Sequence, residues 1–346
     1  TVRKSSHAVK VEGCDEVALK GLTVGESDYA IRAVGDGNRH VRLSDCVIQG
    51  PYTWPRGSQT DEKRAISISG EGCVVTNNRI DGYKDGVDTA DDWHPCNDID
   101  IRLNDISVCT DDGIELDYSD RNCRAYENRI VNCWMGVSFQ PARGGPAYAV
   151  RNMMYNIASE PFKLHMTGTQ TSGAVMIHNT VVRRNTPMNV MTADTIHDAL
   201  ALNNLFVSRD DDYAFYIGAA VDNGFWDYNV YAGGPFNLFG KVTTDRYETI
   251  ATFFSGPEIG GTGPGTGWEE HGFHSPTYTG IFTNAATPPA DPDAEFPVAQ
   301  DLRPTSSNPG IDRGAVLGSV NDGYAGSAPD AGCVEYGGAL PAYGPR

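Results

Sequence analysis

The sequence has no run of about 20 apolar residues, the length that a membrane-spanning helix needs. It also has no charged segment followed by an apolar one at its start, so any signal peptide has been removed or was never included. Basic residues are scarce: 27 lysines and arginines face 45 acidic residues, and the formal net charge is −18. Nucleic acid and anionic membrane surfaces would be repelled by this charge. We therefore expect neither as a partner.

Cysteines at zinc-binding spacing are absent as well. None of the eight cysteines belongs to a CxxC pair, so a metal site built from sulfur is not expected. Cys109 and Cys133 fall in the same phase one repeat apart, and so do Cys73 and Cys96. Stacked cysteines at this spacing are compatible with a disulfide or with an unbonded ladder, and the sequence leaves both open.

A helical apolar stripe is also missing, and a repeat of short alternating segments takes its place. Seven asparagines recur every 24 to 27 residues, each followed by apolar residues and then a polar turn. They are Asn78, Asn104, Asn128, Asn152, Asn179, Asn204 and Asn229. A repeat of this length is typical of a solenoid in which each turn buries its face against its neighbours. The sequence therefore predicts an all-β fold, a parallel β-helix.

The asparagines explain how the turns keep their register. An asparagine at a bend tolerates unusual backbone angles, and its amide can bond the asparagine one turn away, about 4.8 Å distant. We expect a buried ladder with a structural role only, since buried polar groups must be paired.

The repeat divides the chain into two parts. Residues 1–235 are expected to form the turns of the β-helix, and residues 236–346 to form terminal turns, loops and a C-terminal cap packed on the last turns. The sequence enters a turn-like segment from its first residues, so an N-terminal cap is expected to be missing. Trp268, His271 and His274 are expected to be cap residues, and His178 to lie at the surface or in a turn.

Aligning the repeats on the asparagines places the following strands in one sheet, whose side chains alternate between the interior and the outer surface. The interior set is Val87, Ile114, Leu116, Val137, Phe139, Phe162, Leu164, Met188 and Val190. The first outward column is Arg32, Ser67, Asp88, Glu115, Ser138, Lys163 and Asn189, and the second contains Asp117, Gln140 and His165. We expect these outward side chains to form a solvent-facing stripe.

The acids of this stripe make it the best candidate site. Asp85, Asp111 and Asp112 lie at its amino-terminal edge, beside Glu115. Carboxylates stacked about 5 Å apart repel each other, which raises their pKa values or requires a cation. Calcium prefers oxygen ligands and would compensate this repulsion.

At this point the chain resembles the pectate-lyase superfamily of right-handed parallel β-helices, and most closely polysaccharide lyase family nine. The shared segments are "KDGVD" around Asp85, "DDGIELD" at 111–117, "VNCWMG" around Cys133 and "PFKLHM" around Lys163. The resemblance implies a calcium ion held by Asp85, Asp111, Asp112 and Glu115, with Lys163 as the base. Two differences are that the fourth acid is a glutamate and that one further turn separates the acids from Lys163, a distance of about 10 Å for two turns.

A weaker similarity is to the polygalacturonase-like glycoside hydrolases. Asp85, Asp111 and Asp112 match the three acids of that family, whereas Met135 stands at the position of its histidine. The similarity implies hydrolysis in which Asp112 is the acid and Asp85 or Asp111 orients water. A non-catalytic glycan-binding or surface β-helix is a third hypothesis.

Further residues are assigned by their positions around these acids. His165 and Arg143 join Lys163 and Asp112 as catalytic candidates, while Asp88, Asp117, Gln140, Ser138 and Trp54 are substrate-binding candidates. Trp54 lies in an insertion, where it either stacks on sugar rings or packs against the coil. The expected partner is a polysaccharide or oligosaccharide, and the expected protein is a monomer that is secreted or otherwise extracytoplasmic, of bacterial origin.

Overall fold

The chain winds into a parallel β-helix of about nine turns. It is seen in a computed structural model that describes residues 2–3, 6–58, 61–89, 93–209, 213–255, 268–285 and 289–346. Strands of successive turns pair in parallel, which confirms the predicted all-β architecture. Among the residues so described, no helix has the length and apolar composition needed to cross a membrane.

Three faces run along the solenoid. The first face contains Val2–Arg3, Thr23–Gly25, Val47–Gln49, Arg79–Tyr83, the first parts of Asp105–Glu115 and Arg129–Ser138, Met153–Ile157, Thr180–Arg183, Leu205–Ser208, Val230–Gly233 and Phe273–Ser275. The second face contains His7–Lys10, Tyr29–Ala33, Arg64–Ile68, Asp85–Asp88, the last parts of the same two long strands, Phe162–Lys163, Met188–Val190, Tyr213–Ile217 and Leu238–Val242.

The third face closes each turn. It contains Ala18–Lys20, Arg42–Ser44, Gly70–Glu71, Val74–Thr76, Cys96–Asn97, Asp100–Arg102, Ser119–Tyr126, Ala142–Val150, Ser172–Ile177, Ile196–His197, Leu200–Leu202, Val221–Asp222 and Phe225–Asp227. Outside the three faces, Asp245–Tyr247 pairs antiparallel with Leu238–Val242, Phe282–Asn284 pairs antiparallel with Asp301–Pro304, and a short helix spans Ile250–Phe254.

The seven asparagines form the predicted ladder at the corner between the third and first faces. From Asn78 to Asn204, each side-chain amide donates to the Oδ1 of the next asparagine at 2.8–3.0 Å. All seven are fully buried. The left-handed backbone expected of the asparagines lies instead on the residue before each of them, such as Asn77 with φ 55° and Glu127 with φ 53°. This places the asparagine side chain inside the corner, where it satisfies the backbone of two turns.

The interior follows the predicted alternation. All nine residues of the interior set are at most 1% exposed. Cys109 and Cys133 pair in register, as expected, and all eight cysteines are free thiols. Cys96, however, pairs with Gly70, which lies 26 residues earlier, rather than with Cys73, which lies only 23 residues earlier.

The C-terminal part does more than cap the last turns. Trp268 is fully buried against Trp226, with ring centroids 4.5 Å apart, and covers the end of the core as predicted. The chain after Ile281 then runs back over the outer side of the first face, where it forms a second apolar core. Its last residue, Arg346, reaches the turn that contains Asp45. The expectation of packing on the last turns alone is therefore wrong.

His178 lies beneath this returning segment and is fully buried, not at the surface. Its Nε2 faces the side-chain amides of Asn203 and Asn321 at 3.0 and 2.9 Å. An amide N–H can only donate, so Nε2 must be the unprotonated acceptor. Burial, helped by the charge of Arg151, lowers the pKa of His178 to about 3.

Because His178 is buried in its neutral form, we expect the free energy of unfolding to decrease in acid. In the unfolded chain its pKa is about 6.5, so the unfolded state binds the extra proton first as the pH falls. The His178 contribution, on the order of 5 kcal/mol, is complete above pH 6.5 and is lost progressively towards pH 3. His178→Asn keeps an acceptor and suits the left-handed backbone, with φ 55°. We expect its melting temperature to depend less on pH in this range.

His40→Asn is the matched control, because His40 is exposed and also has a left-handed backbone, with φ 48°. Thermal melts of both variants between pH 3 and pH 7.5 make the comparison. An unchanged pH profile in His178→Asn would assign the acid sensitivity to other groups.

Candidate functional site on the second face

The register of the second face assembles the candidate site from distant parts of the sequence. Strand pairing joins Arg32, Ser67, Asp88, Glu115, Ser138 and Lys163 in one column, in that order. Asn189, the predicted last member, pairs with Tyr216 on the following strands. The column predicted from the asparagine spacing is therefore confirmed over six turns.

The column does not face open solvent, however. Its middle residues Asp88, Glu115 and Ser138 are only 2%, 6% and 0% exposed, and Lys163 is 9% exposed. Long cationic side chains fold over the acids and the strands pack closely, so the column is the floor of a groove. This corrects the expectation of a solvated stripe.

Three carboxylates at the centre of this floor converge on one point. Ligand atoms of Asp85, Asp112 and Glu115 all lie within 4.8 Å of one another, and all three side chains are buried. Asp112 reaches this position through a bulge, since the pairing with the next strand shifts register between Cys109 and Asp112. One oxygen of each carboxylate, Asp85 Oδ2, Asp112 Oδ1 and Glu115 Oε2, accepts no hydrogen bond from the residues that the structure describes. We call this set the acid cluster.

The pKa values of the acid cluster follow from its burial. Desolvation raises the pKa of Asp85 and of Glu115 well above the usual range, and the neighbouring carboxylates raise them further. Burial also raises the pKa of Asp112, although the Lys163 ammonium opposes that shift. Negative charge at this point is therefore costly to the fold unless a cation compensates it.

The acid cluster fits a calcium ion. Calcium takes oxygen ligands at about 2.3–2.6 Å, so two ligands on opposite sides of one ion can lie up to about 5 Å apart. The 4.8 Å limit within the cluster agrees with this spacing. One oxygen from each of the three carboxylates would supply half of a six-ligand shell, which leaves positions for water and for a substrate oxygen.

Lys163 is joined to the acid cluster in spite of the two turns between them. Its Nζ lies 2.9 Å from Asp112 Oδ2, so the long lysine side chain spans the two turns that separate Lys163 from the acids. Asp112 thus binds the lysine through one oxygen and offers the other to the cluster. Burial opposes the charge of Lys163, but Asp112, Asp117 and Glu115 outweigh it and raise the pKa of the ammonium.

Two further cations line the amino-terminal edge of the acid cluster. The Arg64 guanidinium lies 3.3 Å from Asp85 and 3.5 Å from Asp88. The Arg64 Nε and Asp85 Oδ2 atoms make this contact without hydrogen-bond geometry, so it is an ion pair only. Lys84 lies 3.8 Å from Asp111. Asp111, a predicted metal ligand, therefore faces this lysine and lies outside the acid cluster.

The second column forms its own hydrogen-bonded group. Asp117 accepts hydrogen bonds from the Ser138 hydroxyl at 2.6 Å and from the Gln140 backbone N–H at 2.7 Å. Burial and the nearby Asp112 raise the pKa of Asp117 to about 7. Asp88 accepts similarly from the Ser67 hydroxyl at 2.6 Å. These bonds hold the two acids against the floor, on either side of the acid cluster.

The structure brings the remaining predicted residues less close to the acid cluster. His165 follows Lys163 by two residues, but its Nε2 contacts the buried Glu160 at 3.1 Å. Arg143 contacts Asp120 at 3.2 Å and lies over the ring of Tyr118. Neither has a described contact with Asp85, Asp112 or Glu115.

Trp54 packs rather than stacks on sugar. It is 7% exposed, and its indole N–H donates to the Pro292 carbonyl at 2.9 Å. The returning C-terminal segment covers the ring, so the substrate-binding prediction for Trp54 is wrong. Of the two roles that the sequence left open, the structure supports packing.

A groove of about 620 Å³ lies over the acid cluster. Among its lining residues are Lys163, Gln140 and Tyr118 at one end and Arg32 and Tyr29 at the other. Trp93, 87% exposed, also lines it and was missed by sequence reasoning. Trp93 follows Asp85–Asp88 on the same turn, just before Cys96, and this position could have suggested that it lies beside the groove. Arg64 was missed too, although it begins the strand that pairs with Asp85.

Comparison with known proteins supports the fold. Residues 1–152 match the family model described as a right handed beta helix region. No curated protein matches the chain. Together with the solenoid of about nine turns, the match supports a right-handed β-helix superfamily, whose fold is common to pectate lyases and glycoside hydrolases.

Proposed function

We propose that this right-handed β-helix protein cleaves a uronate-containing polysaccharide by calcium-assisted β-elimination in the groove of its second face. The observation that carries the proposal is the acid cluster, in which one carboxylate oxygen from each of Asp85, Asp112 and Glu115 lies within 4.8 Å of the other two, beside the Lys163 ammonium. A polysaccharide substrate also agrees with the expected extracytoplasmic location.

The cations of the groove make it compatible with an anionic substrate. A protein with a net charge of −18 repels a polyanion in general, but in this groove Arg32, Arg64, Lys84 and Lys163 balance the four acids of the lining, Asp88, Asp111, Glu115 and Asp117. Arg32 stands five strand pairings from Lys163 along the column, so the groove is long enough for several sugar units at about 4.8 Å per turn. Trp93 and Tyr29 add aromatic rings near the Arg32 end, which suit sugar faces.

In this proposal Lys163 removes the proton next to the uronate carboxylate, the glycosidic C–O bond on the neighbouring carbon breaks as the C=C bond forms, and the departing sugar oxygen takes a proton from water. A calcium ion bound by Asp85, Asp112 and Glu115 would neutralise that carboxylate and acidify the adjacent proton. Lys163 must first lose its own proton, and without a bound cation the negative charge of Asp112, Asp117 and Glu115 opposes this loss. A cation that compensates this charge would lower the pKa of Lys163. Asp112 positions the Nζ of Lys163 at a distance of 2.9 Å.

Asp117 is the group that favours the second candidate, a glycoside hydrolase. A carboxyl group with a pKa of about 7 is suited to act as a general acid at neutral pH. Of the three acids that the sequence suggested for hydrolysis, Asp111 faces Lys84, and Asp85 and Asp112 converge with Glu115 on one point. This arrangement suits a shared cation better than two carboxyl groups on opposite sides of a glycosidic bond.

Product analysis distinguishes the candidates. Purified protein is incubated with polygalacturonate, alginate and glucuronate-containing glycans, with calcium or with a chelator. β-Elimination creates an unsaturated uronate that absorbs in the ultraviolet, and we expect this absorbance only with calcium. New reducing ends without absorbance, insensitive to chelator, would indicate the hydrolase. Retention of a glycan with neither product would indicate a binding protein.

A further inference from the structure

The outer side of the third face carries an apolar surface that the groove chemistry does not use. Strand pairing aligns Tyr148, Val175 and Leu200 in one outward column, and Tyr126, Val150 and Ile177 in the next. All except Ile177 are partly exposed. The outer face of a solenoid is ordinarily polar, and a contiguous apolar patch on it indicates a binding surface.

A second groove, of about 480 Å³, opens over this surface. Tyr126 and Tyr148 line it as diagonal neighbours, about 8 Å apart at the backbone from the strand spacing and the rise of two residues. Val320 of the returning C-terminal segment forms one wall and is 41% exposed. The volume falls within the range of about 300–1,000 Å³ that small-ligand sites occupy.

The charged groups of this second groove are mainly cationic. Arg124 and Arg151 line it together with Glu127. Arg124 is anchored through its Nε, 2.7 Å from Asp100, and its side chain remains 43% exposed. The Arg151 guanidinium has no hydrogen bond and no ion pair within 4 Å to any residue that the structure describes. Two arginines beside two tyrosines complement a ligand that combines carboxylates with flat sugar faces.

We propose that this second groove binds a segment of the same anionic polysaccharide without cleaving it. The inference rests on the proposed function for the class of glycan, but it concerns a different face of the solenoid and different residues. A chain held here would stay attached to the protein while another segment of the polymer enters the catalytic groove. The expected gain is in retention on long or insoluble substrate, because a second contact raises the effective concentration of the polymer.

Retention and cleavage are measured separately to test this site. One variant combines Tyr126→Ala with Tyr148→Ala. The other is Arg151→Gln, which removes a guanidinium that makes no hydrogen bond or ion pair with the residues that the structure describes. Tyr336→Ala and Arg42→Gln are the matched controls at other exposed positions. Binding to immobilised polygalacturonate, and to cellulose as an uncharged probe, is followed along with the cleavage of soluble trimers.

We expect the double tyrosine variant to bind polygalacturonate about tenfold more weakly, and Arg151→Gln to lose the preference for polygalacturonate over cellulose. Cleavage of the trimers stays at the parent rate, and both controls behave as the parent. Unchanged retention in both variants overturns the proposal. A change in oligomeric state on size-exclusion chromatography also overturns it, since the surface would then join two copies of the chain. If the parent protein cleaves no glycan but the variants lose retention, the proposed lyase activity is wrong and the proposed binding site is still supported.

Discussion

Lys163→Met is expected to reduce turnover by roughly 10²–10⁴-fold, the range that a positioned proton-transfer group contributes. The substitution keeps most of the length of the side chain and removes the Nζ that lies 2.9 Å from Asp112 Oδ2. The substitution is also expected to lower the stability, since removal of one partner of a buried ion pair costs up to about 3–5 kcal/mol. The raised pKa of Asp112 reduces the loss, because a protonated Asp112 tolerates burial.

Two further variants separate chemistry from folding. Lys163→Met combined with Asp112→Asn is expected to recover the melting temperature but not the turnover. Lys63→Met is the matched control, because Lys63 is another partly buried lysine paired with an aspartate, Asp28, away from the groove lining. The measurements are initial rates of product absorbance and thermal melts. A folded Lys163→Met protein with the parent rate would remove Lys163 from the mechanism.

Calcium is expected to stabilise the protein and to be required for activity. Binding only to the folded state stabilises it by about 2.7 kcal/mol when calcium is present at 100 times its dissociation constant. This corresponds to a rise of several degrees in melting temperature. Glu115→Gln is expected to abolish both the shift and the turnover. In the absence of calcium the same variant should melt higher than the parent, because it removes a buried charge crowded by Asp85 and Asp112.

Glu269→Gln provides the control for buried acids in general. Glu269 is 1% exposed, and burial raises its pKa to about 8, yet it binds Asn229 and Tyr231 at the end of the asparagine ladder. We expect this variant to keep the full calcium response. Calcium titrations followed by differential scanning calorimetry test both variants. A parent protein whose melting temperature ignores calcium, and whose activity survives chelation, would contradict the proposed metal.

The asparagine spacing was sufficient to predict the architecture and the main column of the site. A period of one turn fixes which residues stack, and strand alternation fixes which of them point outwards. The pairing of Asp88 with Glu115 and of Ser138 with Lys163 followed directly. Burial was not predictable in the same way, because it depends on side chains of other turns, such as Arg64, that fold over the column.

Local irregularities account for the site residues that were assigned differently. The bulge after Cys109 turns Asp112 into the acid cluster and leaves Asp111 with Lys84. Alternation alone cannot assign faces across a bulge. Trp54 was assigned differently for another reason. Pro292, far along the chain, supplies the acceptor for Trp54, and no repeat links these two segments.

The returning C-terminal segment has a consequence for how the molecule unfolds. An ideal solenoid contacts only its nearest neighbours, so it can fray turn by turn from either end. Here Cys333 bonds Thr180, Gly344 bonds Leu103 and Arg346 bonds Asp45. Loss of an early turn therefore also frees residues that cover much later turns. This long-range closure joins separate turns into one cooperative unit, and it keeps the acid cluster and Lys163 rigidly spaced until the whole domain melts.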